Sequence, residues 1–552
     1  MQHTTIRTND LYRGHLIRRT FALFAALLLS IATTSVLAQS DHIRQYAEAV
    51  GAPEPDPRGP AEGTPQFGGV LHIAMDREHP HFDPHRTTLN HVVEFSNHVA
   101  EALFALGADS TPHLSLAEGY EVSDDGTVYT ITLRSGVPFH NGKILAAEDV
   151  VASLERYLEL GVYGAAEVAR NVESVEEVDD LTVRITLTQP YPFILYQLSS
   201  PIGGAPFIYP KELIEEVGDG QIRAPIGTGP YQFVQYRENE FSRIERFEDY
   251  VGRTDPPSGY AGGRVAYLDA IVFHYVPDES VRVAGVQTGE YHVAIGIAVD
   301  VYTLFENDPD VRSRIVNSTW PAFNFNKRSG PMTDQRIRDA FRIAIDSAAI
   351  TTALGPPQFT EVDPGLVFPD SPWHSTVGED TYLEHDTERA RALLEEAEYD
   401  GRAIRILIDP SRAFLYTPAL VARPMLEAAG FTIEFVPVDS ATYATYRADP
   451  DRMDVFAAAY SPRQDPTLIV SLGSGHPGWW DTDEKTALMT ALHLEDDFDA
   501  RFELWEQLQA HFYDYTPMIK LGNLADFNIE STNYSGTWFE VAQRYWLNTW
   551  LN

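Results

Sequence analysis

The spacing of apolar and polar residues predicts an alternation of strands and helices over most of the chain. Thr127 to Arg134 alternates between the two classes after an Asp-Asp-Gly turn, as a half-buried strand does. Val150 to Leu158 carries apolar residues at helical spacing, behind the pair Glu148-Asp149 that suits a helix start. Further along, helical and strand patterns take turns at 387–397, 404–408, 417–429 and 433–438. Such alternation favours an α/β fold with a parallel or mixed sheet.

The N-terminal segment carries the pattern of an export signal. Arg18 and Arg19 precede an apolar run from Phe21 to Ile31, and small or apolar residues lead to Ala38. The run is shorter than the ~20 residues that a spanning helix needs. We therefore predict a signal peptide at 1–38, used by the Sec or the twin-arginine route, and a periplasmic protein.

The next segment, residues 39–66, is rich in Pro, Glu, Asp and Gly and lacks apolar periodicity. A segment of this composition cannot bury enough apolar surface to order itself, so we predict a flexible leader there. Deletion of residues 39–64 is then expected to leave the melting temperature and the ligand affinity unchanged.

Length and charge narrow the possible classes of protein. A chain of 552 residues is too long for a single core and predicts two or three domains. Asp and Glu number 80 against 41 Lys and Arg, a net charge of −39. Nucleic acids and anionic membranes attract basic surfaces, so neither is expected as a partner. The absence of cysteine excludes disulfides, thiolate metal ligands and a lipid-modified N-terminal cysteine.

The stretch from Glu118 to Tyr157 carries an ordered series of motifs. An Asp-Asp-Gly turn at 124–126, the run Leu-Arg-Ser-Gly-Val-Pro-Phe-His at 133–140 and the helix start Ala-Glu-Asp-Val-Val at 147–151 follow one another. This series resembles the signature of the family 5 extracytoplasmic solute-binding proteins, which serve peptide, nickel and related ABC importers. The resemblance extends from about Phe67 to the C-terminus. It implies an α/β, two-lobed periplasmic-binding-protein fold (type II-like) with an additional small domain in the first lobe.

The resemblance also implies a division of the chain. Lobe I is expected to consist of three separate segments, with the small domain and lobe II inserted between them. The expected segments are lobe I at 67–111, 226–318 and 516–552, the small middle domain at 112–225, and lobe II at 319–515.

A candidate binding cleft lies where the chain passes between the lobes. The run Trp320–Asn326 is expected to make this crossing as a strand, because a few dihedrals there can close one lobe on the other. Ligands commonly bind in such interdomain clefts, which makes Asn324 and Asn326 candidate hydrogen-bonding groups. The strand that ends at Tyr460 leads to the same place, since open α/β sheets bind ligands beyond their strand ends.

Arg463 and Asp465 follow that strand in a loop that resembles the family's Trp-x-x-Asp-x-x-x-Asp-Pro loop. The Asp of this loop that binds a peptide's α-amino group in relatives is absent from this chain. The Arg463 guanidinium could hold a carboxylate through two parallel hydrogen bonds, or form a structural ion pair with Asp465. The sequence leaves both alternatives open. The first predicts a carboxylate-bearing ligand, such as a modified peptide or an opine-like compound, over a free cationic dipeptide.

Two further pairs of residues are candidate ligand contacts. The resemblance places Thr88 and Asn90 along the ligand, although peptide-binding relatives carry an acid where Thr88 stands. Trp479 and Trp480 follow a His-Pro-Gly turn, and their rings either stack on a flat ligand or cover the face of lobe II.

Two polar motifs suggest other chemistry. His79, His81, Asp83 and His85 are close enough in sequence for a metal site, but Pro80 and Pro84 make the segment a rigid loop, and the resemblance gives it the floor of the pocket. Gly-Thr-Gly at 227–229 lacks the Lys-Ser/Thr of a phosphate-binding loop and resembles the family's return to lobe I. Neither a metal nor a cofactor is predicted.

Together these features predict a monomeric periplasmic receptor that binds a peptide-like or other small solute and delivers it to ABC permease subunits. The alternatives are an exported hydrolase and an oligosaccharide receptor on the same scaffold. No HExxH, nucleophile elbow or cysteine nucleophile supports the hydrolase. Because pocket chemistry varies while a scaffold persists, the sequence does not name the ligand.

Overall fold

A computed structural model of the chain describes residues 42–50, 64–87, 89–161, 164–200, 205–463, 465–473, 475–495, 497–536, 538–540 and 543–552. The predicted signal peptide at 1–38 lies outside these residues. Within the described parts, no helix is both long and apolar enough to cross a bilayer.

The described helices and strands are numbered in chain order. The α-helices are α1 (42–50), α2 (Asn90–Val99), α3 (Ala147–Leu160), α4 (Gly164–Asn171), α5 (Ile194–Ser199), α6 (Lys211–Val217), α7 (Glu279–Thr288), α8 (Gln335–Ala344), α9 (Ser347–Ala353), α10 (Glu379–Leu383), α11 (Thr387–Glu396), α12 (Ala413–Ala429), α13 (Ser440–Tyr446), α14 (Asp483–Leu494) and α15 (Phe498–Tyr515). The strands are β1 (Val70–Met75), β2 (Phe104–Leu106), β3 (Pro112–Leu114), β4 (Ala117–Val122), β5 (Val128–Leu133), β6 (Val172–Asp179), β7 (Thr182–Leu187), β8 (Tyr231–Arg237), β9 (Phe241–Arg246), β10 (Ala270–Tyr275), β11 (Val293–Ile297), β12 (Val311–Phe325), β13 (Thr360–Glu361), β14 (Ile404–Ile408), β15 (Ile433–Pro437), β16 (Val455–Tyr460), β17 (Met518–Lys520), β18 (Asn523–Ser531), β19 (Tyr534–Ser535), β20 (Trp538–Glu540), β21 (Gln543–Tyr545) and β22 (Trp550–Leu551). Short 3-10 helices cover Pro84–Arg86, Val299–Leu304, Pro331–Thr333, Pro466–Leu468 and Val470–Leu472.

One continuous mixed sheet runs through both lobes. Its strand order is β15-β14-β16-β12-β18-β11-β1-β10-β9-β8, with β17 paired to β12 and β13 to β18. The first three strands and the second half of β12 form lobe II, where β14 pairs parallel with β15 and β16. The strands from β18 to β8 form lobe I, where β1 lies parallel between β10 and β11. The mixed sheet predicted for lobe II is confirmed.

A separate antiparallel sheet, β4-β5-β7-β6, forms the small domain together with α3 to α6. The predicted strand after the Asp-Asp-Gly turn is β5, and the predicted helix behind Glu148-Asp149 is α3. Apolar side chains of these elements pack into a core of their own, which includes Ile131, Val150 and Phe193. The alternating and helical patterns of this region therefore gave the correct elements.

The predicted flexible leader is wrong for residues 42–50. These residues form α1, whose buried face packs Ile43, Tyr46 and Val50 against lobe I residues that include Tyr250 and Trp550. The Tyr46 hydroxyl donates to the carbonyl of Arg253 and accepts from the backbone N–H of Arg264, both at 3.0 Å. Ile43, Tyr46 and Val50 lie at i, i+3 and i+7, so a short apolar stripe was present in a segment whose composition suggested disorder.

The Gly-Thr-Gly segment at 227–229 has a packing role. A Cβ at Gly227 would lie 2.1 Å from the carbonyl oxygen of Val99, and one at Gly229 would be 2.6 Å from that of His98. His140 also holds the segment, accepting from the N–H of Gly227 at 3.2 Å and bonding the carbonyl of Gly229 at 2.9 Å. The glycines are thus required by close backbone approach.

Candidate functional site

Two adjacent strands connect lobe I to lobe II. β12 pairs with β18 from Val311 to Thr319, then with β16 from Trp320 onward, while β17 leads back into β18 beside it. The exchange of partners between Thr319 and Trp320 marks the passage between lobes, and the remainder of the predicted crossing, up to Asn326, already lies in lobe II. A double strand of this kind is a hinge geometry, because few dihedrals need to change for the lobes to move.

The hinge contains a buried ion pair. Lys520 Nζ lies 2.8 Å from Asp363 Oδ2, and Asp363 also accepts from Asn523 at 2.9 Å and contacts His374 Nε2 at 2.8 Å. Burial lowers the pKa of Lys520 to about 8, against the opposing effect of Asp363. Burial alone would raise the pKa of Asp363, but Lys520, His374 and Asn523 hold it below its usual value. In the charged state, Asp363 therefore holds the segment after β13 against Lys520 of β17 and Asn523 of β18.

A buried hydrogen bond joins Tyr460, at the end of β16, to Asn324 of β12. The Tyr460 hydroxyl donates to Asn324 Oδ1 at 2.6 Å, and the Tyr460 ring packs against Trp320 at 4.5 Å and His476 at 5.8 Å between centroids. Asn324 is fully buried, and its Nδ2 has no hydrogen-bond partner among the described residues. A buried amide donor of this kind is costly unless a further group accepts from it.

Arg463 and Asp465 lie in the loop after β16 but point to different partners. Arg463 is half-buried and donates to the carbonyl of Pro462 at 3.0 Å. Asp465 is buried and forms its ion pair with Arg501 of α15, at 2.9 Å. It also accepts from the backbone N–H and hydroxyl of Thr467, at 2.9 and 2.5 Å. Asp465 therefore fixes the loop, and its ion-pair partner is not the one suggested from the sequence.

Asn326 and the two tryptophans are used inside lobe II. The Asn326 amide donates to the carbonyls of Pro450 and Met453, at 2.7 and 3.0 Å. The Trp479 ring is 7% exposed, with the Arg328 guanidinium 4.8 Å from its centroid. Trp480 is 3% exposed and packs in the same core. These contacts favour the covering role for both rings.

Of the two candidate ligand contacts in lobe I, the structure describes only Asn90. Thr88 lies outside the described residues. Asn90 is the first residue of α2 and is half-buried, beside exposed Leu89. The structure thus puts Tyr460, Arg463 and Asp465 at the C-terminal end of β16. Asn324 lies on β12 opposite Phe456, near the start of β16, and Asn90 lies on a separate element of lobe I.

The histidine-rich loop at 79–85 serves the fold. Asp83 forms a buried bidentate pair with Arg156, at 2.6 and 3.1 Å, and His85 bonds the carbonyl of Phe207 at 2.8 Å. His79 lies 3.0 Å from the Tyr275 hydroxyl, and burial lowers its pKa to about 3. Among the residues described, no group of three or more His, Asp or Glu is arranged to hold a metal ion.

Sequence reasoning missed Arg501 and His476. Arg501 lies on the buried face of α15 with Trp505, Leu508 and Phe512. A charged residue at an apolar position of a helical pattern could have indicated a buried ion pair from the sequence. His476 packs beside Tyr460, and burial lowers its pKa to about 4, which keeps the ring neutral. The His-Pro-Gly turn at 476–478 had suggested a role only for the two tryptophans that follow it.

The sequence matches a known protein family over most of its length. The family model of the bacterial extracellular solute-binding proteins, family 5 Middle, covers residues 111–490. The probable peptide ABC transporter periplasmic-binding protein y4tO of Sinorhizobium fredii is 28% identical over 483 residues, which cover 83% of this chain and 88% of that protein. The glutathione-binding protein GsiB of Salmonella paratyphi A is 31% identical over 315 residues, 54% of this chain and 56% of that protein.

Solved structures show the same architecture. The periplasmic binding protein AgaA of A. tumefaciens R10, solved with agropinic acid, superposes with a TM-score of 0.71 at 20% identity, over 88% of this chain and 99% of that one. At this identity the likeness shows the fold, which is the two-lobed α/β fold of periplasmic binding proteins.

Proposed function

This chain belongs to the bacterial extracellular solute-binding proteins of family 5, and from that premise we propose that it is the periplasmic receptor of an ABC importer. It binds a peptide-like solute that carries at least one carboxylate, in the cleft between its lobes, and delivers that solute to a permease. No covalent step is required, because closure of the lobes around the solute supplies the affinity.

The observation that carries the proposal is the double crossing of β12 and β17–β18. Each lobe has its own apolar core, so the lobes can move as bodies about these two strands. The loop after β16 begins next to Trp320, where β12 enters lobe II. A solute bound to that loop therefore lies beside the hinge, where contact with both lobes is possible only when they approach each other.

Two groups support a carboxylate as the recognised feature. Arg463 is a half-buried cation in a chain of net charge −39, and a cation is needed locally to offset the long-range repulsion of an anion. Asn324, which is hydrogen-bonded to Tyr460 at the end of β16, has a buried Nδ2 with no partner among the described residues and is a neutral donor on the same lobe. Two similar proteins support the same solute class, since GsiB is a glutathione-binding protein and AgaA was solved with agropinic acid, and both compounds are acids.

Mass spectrometry of compounds released from the purified protein tests the proposal. We expect a stoichiometric small compound with a carboxylate, which rebinds to the emptied protein in calorimetry. A compound without a carboxylate would refute the solute class. The released compound should also be recovered unchanged after long incubation with the protein, whereas its conversion to a product would favour the exported hydrolase.

Uptake by cells tests the transport part. Cells that lack this protein should lose uptake of the identified compound, and expression of the protein should restore it. Uptake that continues unchanged without the protein would contradict delivery to a permease.

A further inference from the structure

A buried arginine of lobe II, Arg501, lies against the small domain. The Arg501 guanidinium carbon lies 5.3 Å from the ring centroid of Phe193 and 5.2 Å from that of Tyr196, both in the small domain. On its other side it lies 4.9 Å from the ring of Trp373 and pairs with Asp465, both in lobe II. The Arg501 side chain is only 2% exposed. One cation thus joins aromatic rings of two separate bodies.

The surroundings extend the same contact. Phe193 and Tyr196 stack on each other at 5.1 Å between centroids, so the guanidinium packs against a stacked pair of rings. His493 of α14 packs on the Phe193 ring at 5.5 Å, and Leu468, three residues beyond Asp465, packs against the small-domain core. The small domain therefore covers the loop that follows β16.

This contact depends on the relative position of the lobes. The polypeptide chain links the small domain to lobe II only through lobe I and the hinge strands. Separation of the lobes at the hinge would therefore withdraw Phe193 and Tyr196 from Arg501. A guanidinium over an aromatic face is stabilised most when water is excluded, as at this buried site. Withdrawal would replace those rings by water and leave Asp465 as the main partner of Arg501.

We propose that Arg501 is a closure latch, which couples the position of the small domain to the loop that binds the solute. The latch rests on the proposed function in one respect, the assignment of the loop after β16 as the loop that binds the solute. Asp465 is two residues from Arg463, so an ion pair that holds Asp465 also fixes the backbone that carries Arg463. Phe193, Tyr196 and Arg501 are then positioning residues: they contact no solute, yet they set the fraction of protein that is closed.

Fluorescence energy transfer in the solute-free protein tests the latch. The chain has no cysteine, so cysteines introduced at exposed Val122 of the small domain and exposed Leu420 of lobe II take both dyes uniquely. Tyr196→Leu removes a ring face but keeps bulk. We expect the closed population to fall about threefold or more relative to the open one, the effect of one lost cation–π contact.

A matched control lies entirely within lobe II. Arg338 is also buried, and its guanidinium lies 4.6 Å from the ring of half-buried Tyr515. Tyr515→Leu removes the same kind of contact without touching the small domain, so its energy-transfer distribution should equal that of the parent. Arg501→Lys, which keeps the charge for Asp465 but stacks less well, should fall between the parent and Tyr196→Leu.

Two results would overturn the latch. One is a Tyr196→Leu distribution identical to that of the parent, and the other is an equal shift in Tyr515→Leu. Because these measurements use the emptied protein, they separate the latch from the proposed function. A protein that retains no small compound but opens in Tyr196→Leu would refute the solute receptor and leave the latch standing.

Discussion

At the scale of single residues, Arg463 decides the chemistry of the proposed solute. Arg463→Ala should weaken binding of the copurified compound by roughly 2 kcal/mol or more, about 30-fold in Kd, if the cation pairs with a carboxylate in the closed cleft. Arg463→Lys should recover only part of this loss, because an ammonium cannot form two parallel hydrogen bonds. Calorimetry on the emptied protein measures both.

Arg328, another arginine of lobe II, provides the control for that experiment. It is exposed, lies over the ring of Trp479 and faces Asp481 at 3.9 Å, on the same lobe as Arg463. Arg328→Ala removes an equal charge and should leave the affinity within about twofold, since exposed charges are screened by salt. Equal affinities for Arg463→Ala and the parent would reduce Arg463 to a structural residue.

At the scale of elements, α1 packs as part of lobe I, although the composition of its segment predicted a flexible leader. Gly252 and Gly263 leave room for it: a Cβ at Gly252 would lie 2.1 Å from the Tyr46 hydroxyl, and one at Gly263 would lie 2.4 Å from a Val50 methyl. The surface of lobe I is thus shaped to accept this helix. Deletion of residues 39–64 is therefore expected to lower the melting temperature, contrary to the expectation from the sequence.

Tyr46→Phe tests the packing of α1 with a single atom. The change leaves the N–H of Arg264 and the carbonyl of Arg253 without the hydroxyl that bonds them, which should cost about 1–3 kcal/mol of unfolding free energy. Glu48→Gln on the exposed face of the same helix should leave stability unchanged. Urea unfolding checks both, and equal midpoints for Tyr46→Phe and the parent would mean that α1 is not docked.

At the scale of the whole molecule, buried neutral histidines predict a loss of stability in mild acid. Burial lowers the pKa of many of them, to about 4 for His85, His91, His98, His140, His274, His292 and His476. Because the folded pKa values lie below the ordinary value near 6.5, the unfolded chain binds more protons below that pH. The free energy of unfolding should therefore fall as the pH drops from 7.5 to 5.5.

His140→Gln isolates one contribution to that loss. Removal of a histidine that is neutral when folded should lower stability at pH 7.5, where its bonds to Gly227 and Gly229 are lost. It should also reduce the slope against pH, by up to about 1.4 kcal/mol per pH unit. His385→Gln changes a side chain that is exposed when folded and should leave stability at pH 7.5 as in the parent. A slope in His140→Gln equal to the parent's would contradict the assignment.

The sequence by itself determined the local elements and the family. Strand β5 and helix α3 follow from alternation, helical spacing and acidic residues in the first turn, all of which act between near neighbours. The motif series from Glu118 to Tyr157 was long enough to identify the scaffold, and with it the two lobes. Local pattern likewise placed Tyr460 at the end of a strand and Asn324 on the strand that runs between the lobes.

The tertiary structure decided which distant groups meet. Asp465 pairs with Arg501, 36 residues along the chain, because a buried charge takes the partner that folding brings to it and not its neighbour in sequence. The tryptophans at 479 and 480 are buried in lobe II, a choice between core and ligand face that depends on what packs above them. Local pattern likewise could not predict the docking of α1 or the contact of Phe193 and Tyr196 with Arg501. A buried contact depends on both packed elements, and the pattern of one segment does not say which other segment packs on it.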